Sequence, residues 1–147
     1  MLRLTRRYRF SASHRLDTAA LSAEENRKLY GKCNNPYGHG HDYALEISVE
    51  GPLNGDGQVV DRKALDELVQ QQVLRLVDHK NLNLDVPEFG GAIPTTENLA
   101  SFIQQRLSQG WSLTPRLTRI RIVETDRNSF ELAVGEGEVG DESEVGE

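Results

Sequence analysis

Two long strands are predicted by alternating apolar and polar positions in the first third of the chain. Over residues 2–14, apolar side chains recur at every second position and most arginines fall between them, with Arg6 as the exception. Residues 41–51 alternate in the same way, with aromatic and aliphatic side chains at the odd positions. A period of two is that of a strand with one buried face. We therefore expect each strand to carry one apolar and one polar face.

Two amphipathic helices are predicted in the middle of the chain. From Asp61, a favoured N-cap residue, to the vicinity of Asp78, apolar side chains recur every three or four positions. A second such run begins at Thr95 or Thr96, either of which can cap it, and ends at Gly110. Because each helix has one apolar face, both are expected to cover one face of a sheet.

The remaining pattern completes an α+β domain. Strands are predicted over residues 118–126 and 129–134, joined by a turn at Arg127–Asn128. A short helix is predicted across residues 22–30, and residues 80–94 are expected to form a loop. The order ββααββ predicts an antiparallel four-stranded sheet with two helices on one face. The other face, part arginine and part aliphatic, is expected to meet other subunits in an oligomer.

Composition and charge narrow the class of protein. At 147 residues the chain is expected to be one domain over residues 1–134, followed by a disordered, Gly- and acid-rich tail at 135–147. Seven of the 23 acids lie from Glu131 onward, so the body is close to neutral and offers no basic stripe for nucleic acid. One cysteine cannot form an intramolecular disulfide, and no apolar run is long enough to span a membrane. We expect a cytoplasmic protein that binds neither nucleic acid nor membrane.

Histidines and the single cysteine form the candidate metal site. His39 and His41 are two residues apart and share a strand face, and His14 ends the first strand on its apolar face. Three imidazoles with one open position are a common catalytic zinc set. Cys33, six residues before His39, would then lie beside the metal. Two alternatives remain open: the histidine pair is merely polar, or Cys33 is a fourth ligand that closes a structural site.

Three further ionisable residues stand out. Asp78 and His79 follow the first long helix, either as a proton-transfer pair or as a cap that interacts with the helix dipole. Glu124 shares the parity of the apolar residues in its strand. An unpaired buried charge is expensive, so Glu124 is expected at the strand's open end or among partners. The alternative is a surface carboxylate paired with a neighbouring arginine.

Five segments together resemble the 6-pyruvoyl-tetrahydropterin synthase family. They are FSASHRL at 10–16, GKCNNPYGHGHDY at 31–43, LVDHKNL at 76–82, PTTEN at 94–98 and VETD at 123–126. The resemblance implies the tunnelling fold, in which such subunits close into a barrel and two trimers stack into a hexamer. It also implies a lyase of tetrahydrobiopterin-type pathways, which converts 7,8-dihydroneopterin triphosphate to 6-pyruvoyl-tetrahydropterin with loss of triphosphate.

The resemblance also implies roles for the candidate residues. It implies that a catalytic zinc ion acts on the pterin substrate. Mg²⁺, bound to the substrate triphosphate, is a further candidate ion. The implied zinc ligands are His14, His39 and His41. The implied catalytic residues are Cys33 as general base, Asp78 and His79 as a relay, and Glu124 as the anchor of the pterin ring. The pocket for that ring is implied to be lined by Glu124 and by Thr95, Thr96 and Glu97.

Two other functions compete with this one. The first is 6-carboxytetrahydropterin synthase of queuosine biosynthesis, which uses the same substrate and metal but releases acetaldehyde. The spacing Cys33-x5-His39 favours the pyruvoyl type, because the carboxy-forming relatives usually show a shorter Cys-x3-His gap. The second is a non-enzymatic module in which three histidines and Cys33 hold a structural zinc.

Overall fold

A five-stranded sheet organises the part of the chain that the structure, a computed structural model, describes, which is residues 1–135. All but the first residue of the predicted disordered tail lies outside the described residues. The strand order across the sheet is β3-β1-β2-β4-β5. The strands are β1 (Leu2–His14), β2 (His39–Gly51), β3 (Lys80–Asn81), β4 (Arg116–Val123) and β5 (Ser129–Ala133).

The long strands form an antiparallel sheet as predicted, and the sheet has one strand more than predicted. β1 is antiparallel to β2, β2 to β4 and β4 to β5. The prediction of four strands was wrong, because β3 pairs in parallel with Ala12 and Ser13 at the outer edge of β1. Two residues are too few to show the alternation of a strand, so the sequence of this segment predicts only a loop. The α+β class and the order of the long elements are confirmed.

Four helices accompany the sheet. They are α1 (Ala23–Tyr30), α2 (Arg62–Val69), α3 (Arg75–Val77) and α4 (Thr96–Gly110). A π-helical turn, Gln70–Leu74, joins α2 to α3, so the first predicted long helix is one element with a local widening. Asp61 caps α2 as predicted, and its side chain accepts from the N–H groups of Lys63 and Ala64. Thr95, one of the two predicted candidates, caps α4 by accepting from the Asn98 N–H. Among residues 1–135, no helix is both long enough and apolar enough to cross a lipid bilayer.

The core lies between one face of the sheet and the long helices. The fully buried aliphatic side chains come from β2, β4, α4 and the helical segment that begins with α2, and each stabilises the fold by about 1.5–3 kcal/mol relative to exposure. They include Leu45, Ile47, Val49, Leu65, Val69, Val73, Leu99, Ile103, Leu107, Ile120 and Ile122. This packing holds β1 and β2 rigidly side by side, and the candidate site lies at one end of that pair.

Charged residues follow the alternation, and the structure explains the one exception. Arg6 lies on the helix-facing parity and reaches Asp66 of α2, with Nη2 2.6 Å from Oδ2. The Tyr8 hydroxyl donates to the same carboxylate at 2.7 Å. On the opposite face, Glu46 is surrounded by three arginines, one from β1 and two from β4. The face without helices is therefore polar and charged around Glu46.

Candidate active site

Strand register brings the three candidate histidines to one place. β1 and β2 pair so that His14 is directly opposite His39 and Ala12 is opposite His41. Directly opposed side chains in an antiparallel pair project from the same face, so all three imidazoles lie on the helix-covered side. The ring centroid of His41 is 5.0 Å from that of His14 and 4.9 Å from that of His39. The predicted sharing of one face is confirmed.

A tight loop carries Cys33 to the same end of the strands. After α1 the chain makes a 3₁₀ turn, Gly31–Asn34, whose Cys33 carbonyl accepts from the Leu16 N–H at 2.7 Å. Gly38 has φ +80°, and a Cβ there would lie 2.6 Å from the His14 carbonyl oxygen. Only glycine fits at that approach. As a result the Cys33 Sγ atom lies 3.7 Å from His41 Nε2.

The hydrogen bond of His14 fixes which nitrogen faces the cluster. His14 is buried, and its Nδ1 lies 2.8 Å from the Pro94 carbonyl oxygen. A carbonyl can only accept, so Nδ1 carries the proton and Nε2 has a free lone pair. Nε2 is buried and has no partner among residues 1–135. Burial lowers the pKa of His14, which favours the neutral imidazole that metals bind.

The donor atoms of His14, Cys33 and His41 all lie within 4.8 Å of one another. This group fits a metal ion, because it offers two neutral imidazoles and a sulfur, which metals bind. One of the imidazoles, that of His14, has a nitrogen lone pair with no partner among residues 1–135. His39 lies outside this group of three, although its ring contacts His41 edge to face. The pKa of the Cys33 thiol is raised, first by burial and then by the charge of Glu124.

Glu124 and Thr96 form a second polar cluster beside the histidines. Glu124 follows β4 directly, at the open end of the strand, and its Oε2 atom accepts a hydrogen bond from the Thr96 hydroxyl. Thr96 is buried in the first turn of α4, whereas Thr95 caps that helix and Glu97 is exposed. The carboxylate thus lies beside a hydrogen-bond partner at the end of the strand.

Tyr43 is a site residue that the sequence pattern counted only as apolar. Its side chain is 1% exposed, its ring stacks on Phe10, and its hydroxyl has no hydrogen-bond partner among residues 1–135. The signal that could have found it is its parity with His39 and His41, two and four residues upstream. On that parity any polar tip faces the site.

Asp78 and His79 lie elsewhere in the subunit. Asp78 Oδ1 accepts from the Ser11 N–H at 3.0 Å and lies 3.0 Å from His79 Nδ1. The His79 side chain is 83% exposed and lines a cavity of about 330 Å³ together with Ser11, Ser13 and Asp42. These strand residues have the parity opposite to His14 and His41, so this cavity opens on the other face of the sheet. Within residues 1–135 the structure brings Asp78 and His79 together but does not bring them to Cys33.

Comparisons with known proteins agree with this arrangement. The family model for 6-pyruvoyl tetrahydropterin synthase matches residues 3–134. The 6-pyruvoyl tetrahydrobiopterin synthase of Poecilia reticulata is 45% identical over 127 residues, which cover 85% of each chain. That of Homo sapiens is 42% identical over 126 residues, covering 85% of this chain and 86% of the human protein.

A solved structure extends the likeness to the whole fold. The 6-pyruvoyl tetrahydropterin synthase of Caenorhabditis elegans has a TM-score of 0.81 and 35% identity, over 91% of this chain and 96% of that chain. The matched range of the family model includes the histidine cluster, the cysteine loop and the Glu124 cluster. The chain therefore belongs to the 6-pyruvoyl tetrahydropterin synthase family of lyases.

Proposed function

We propose that this protein is a zinc-dependent lyase that converts 7,8-dihydroneopterin triphosphate to 6-pyruvoyl-tetrahydropterin. The reaction eliminates triphosphate and moves protons along the hydroxylated side chain of the pterin. The observation that carries the proposal is the orphaned Nε2 of His14, which is buried and pointed by its Pro94 bond toward His41 and Cys33. A site built this way has a metal-binding end and a thiol that can exchange protons.

Zinc is the metal that suits these donors best, because it accepts both imidazole and thiolate and favours four ligands. We assign His14, His39 and His41 as its ligands, since His39 is the cross-strand partner of His14. When bound, the ion polarises hydroxyl groups of the substrate side chain. The assignment leaves Cys33 free for proton transfer.

Cys33 is the proposed base, and it can act as a base only when its thiol is deprotonated. Burial and the Glu124 charge raise the pKa of the thiol, so the sulfur is protonated at neutral pH when no cation is near. A divalent ion on the neighbouring imidazoles has the opposite effect on the pKa and favours the thiolate. Proton abstraction by Cys33 thus depends on an intact metal site.

Glu124 is the proposed anchor of the pterin ring. A carboxylate can accept two N–H bonds from an aminopyrimidine edge, which is a strong and directional contact. The Thr96 hydroxyl, bonded to Oε2, fixes the orientation of that carboxylate. Tyr43, beside Glu124, is two residues from His41, about 6.5–7 Å along a strand. A ring held at Glu124 therefore directs its side chain toward the histidines.

The proposed relay of Asp78 and His79 requires a second subunit. In one subunit these residues lie at the outer edge of the sheet, on the face away from the histidine cluster. An exposed imidazole at a sheet edge can reach Cys33 of a neighbouring copy. We propose that the protein forms the barrel-like hexamer of its family and that each active site is completed at a subunit boundary.

One observation favours a different function. Because the Cys33 sulfur lies within the group of donors, Cys33 could be a resident ligand of a closed, structural zinc site. In that case Cys33→Ala releases zinc and unfolds the domain. The proposed enzyme instead keeps both its zinc and its fold after the substitution.

Product identification tests the proposed reaction. The wild-type protein, incubated with 7,8-dihydroneopterin triphosphate and Mg²⁺, is expected to release one triphosphate per turnover without acetaldehyde. Stoichiometric acetaldehyde would identify the carboxy-forming reaction instead. Absence of any turnover by a zinc-loaded, folded preparation would contradict both reactions.

A further inference from the structure

The Tyr43 hydroxyl is the polar group of the site that the mechanism above leaves without a role. It is buried and has no hydrogen-bond partner among residues 1–135. The Tyr43 ring is held in place by two neighbouring rings. Its centroid is 4.8 Å from that of Phe10, which stacks on it, and 5.6 Å from that of His41. A buried hydroxyl without a partner is costly, and native proteins rarely retain one unless something else completes the bond.

Tyr43 lies beside Glu124 on the face of the sheet that carries the histidines. Ala44 pairs with Val123, so the antiparallel register sets Tyr43 opposite Glu124. Burial raises the pKa of Tyr43, and the charge of Glu124 raises it further, which agrees with a carboxylate close to the phenol. Tyr43, Thr96 and Glu124 form one polar wall, adjacent to the metal donors.

The chemistry of this wall selects a particular ring edge. A carboxylate such as that of Glu124 accepts hydrogen bonds, and a phenol hydroxyl such as that of Tyr43 can donate one. A 2-amino-4-oxo pyrimidine edge presents two N–H donors followed by a carbonyl acceptor, which is the complement of a carboxylate beside a phenol. We propose that Tyr43 is a specificity-determining residue whose hydroxyl donates to this ring carbonyl while Glu124 accepts the N–H groups. This inference rests on the proposed function, because it assumes a pterin at Glu124.

The consequence is discrimination against a ring that lacks this carbonyl, such as a 2,4-diamino ring, whose neighbouring ring nitrogen also carries no hydrogen for Glu124. A 2,4-diamino ring has an amino group where the pterin has its oxygen, so it cannot accept from Tyr43. One buried neutral hydrogen bond corresponds to about a tenfold difference in affinity. Tyr43 is thus expected to increase the ratio of pterin affinity to diamino-ring affinity about tenfold, beyond the preference that Glu124 creates.

The test compares Tyr43→Phe with Tyr8→Phe in zinc-loaded protein. Tyr8 is the matched control. It lies in β1 on the same face of the sheet, but its hydroxyl donates to Asp66 rather than facing Glu124. The probes are 6-methylpterin and 6-methyl-2,4-diaminopteridine, which carry no side-chain hydroxyls. Tyr43→Phe is expected to lose about tenfold in pterin affinity and little in diamino affinity, with unchanged zinc content. Tyr8→Phe is expected to bind both rings as the wild type does.

Other outcomes separate the inference from the proposed function. Unchanged pterin affinity in Tyr43→Phe, or an equal loss for both rings, overturns the role of Tyr43. If that variant does not fold, isotope-edited infrared spectra of wild-type protein decide: the ring carbonyl stretch of bound 6-methylpterin should shift to lower frequency, and no shift overturns the inference. A wild-type protein that binds neither ring overturns the proposed function itself, together with the inference.

Discussion

At the scale of single residues, hydrogen-bond partners determine what each polar group of the site can do. The Pro94 carbonyl, 80 positions away in sequence, sets the tautomer of His14 and leaves its Nε2 available to a metal. The Thr96 hydroxyl similarly holds one oxygen of Glu124. These two side chains are each oriented by a group that belongs to a different element, so this part of the site is preorganised before any ligand arrives.

The charge of Glu124 is expected to matter for substrate binding. Replacing a carboxylate by an amide removes the charge and one acceptor, so Glu124→Gln is expected to raise KM about 30- to 100-fold with a smaller effect on kcat. Steady-state kinetics and thermal melting check this expectation. Glu67→Gln, an exposed change on α2, is the control and should leave both constants unaltered. A large fall in kcat at unchanged KM would show that Glu124 acts in the chemistry rather than as an anchor.

At the scale of elements, the alternation of the sequence was sufficient to predict the strands but not their full pairing. Parity placed the three histidines on one face, Asp61 was identified as a cap, and Thr95 was one of two candidates for the other cap. β2 begins at His39 rather than at the predicted residue 41, and β4 ends before Glu124. The short β3 strand and the approach of the cysteine loop depend on tertiary contacts, which no local period records.

Gly38 makes the loop contact testable. At φ +80° and with the His14 carbonyl oxygen 2.6 Å from the position of an added Cβ, Gly38→Ala must displace the loop from β1. We expect a loss of about 1–3 kcal/mol in the free energy of unfolding and weaker zinc binding. Denaturant unfolding and competition with a chelator measure the two effects. Gly55→Ala, where no atom lies within 4 Å, should change neither, and equal behaviour of the two variants would refute the argument.

At the scale of the whole molecule, one subunit carries the two halves of the proposed machinery on opposite faces of its sheet. The sequence listed Asp78 and His79 as candidates but could not show that they lie at the outer edge of β1, because that position follows from the parallel pairing of β3. The common face of the three histidines was easier to predict, since one register of two adjacent strands determines it. The resemblance and the helix-free face of the sheet both predict an oligomer.

Mixed oligomers test the shared site. Cys33→Ala and His79→Ala are each expected to be nearly inactive alone. Denaturing and reassembling the two together should restore part of the wild-type activity, because some boundaries then combine an intact Cys33 with an intact His79 of another subunit. Turnover after reassembly is the measurement. No recovery in mixtures shown to contain both variants in one oligomer would contradict a site completed between subunits.

The central claim is that three imidazoles hold the metal while Cys33 remains free to transfer protons. The most direct measurement is zinc content per subunit together with turnover, taken on wild type, Cys33→Ala and His39→Ala. We predict that Cys33→Ala retains its zinc and its fold but loses turnover, and that His39→Ala loses zinc. A Cys33→Ala protein without zinc, beside a His39→Ala protein that keeps it, would show that the sulfur and not His39 is the third ligand and would contradict the account.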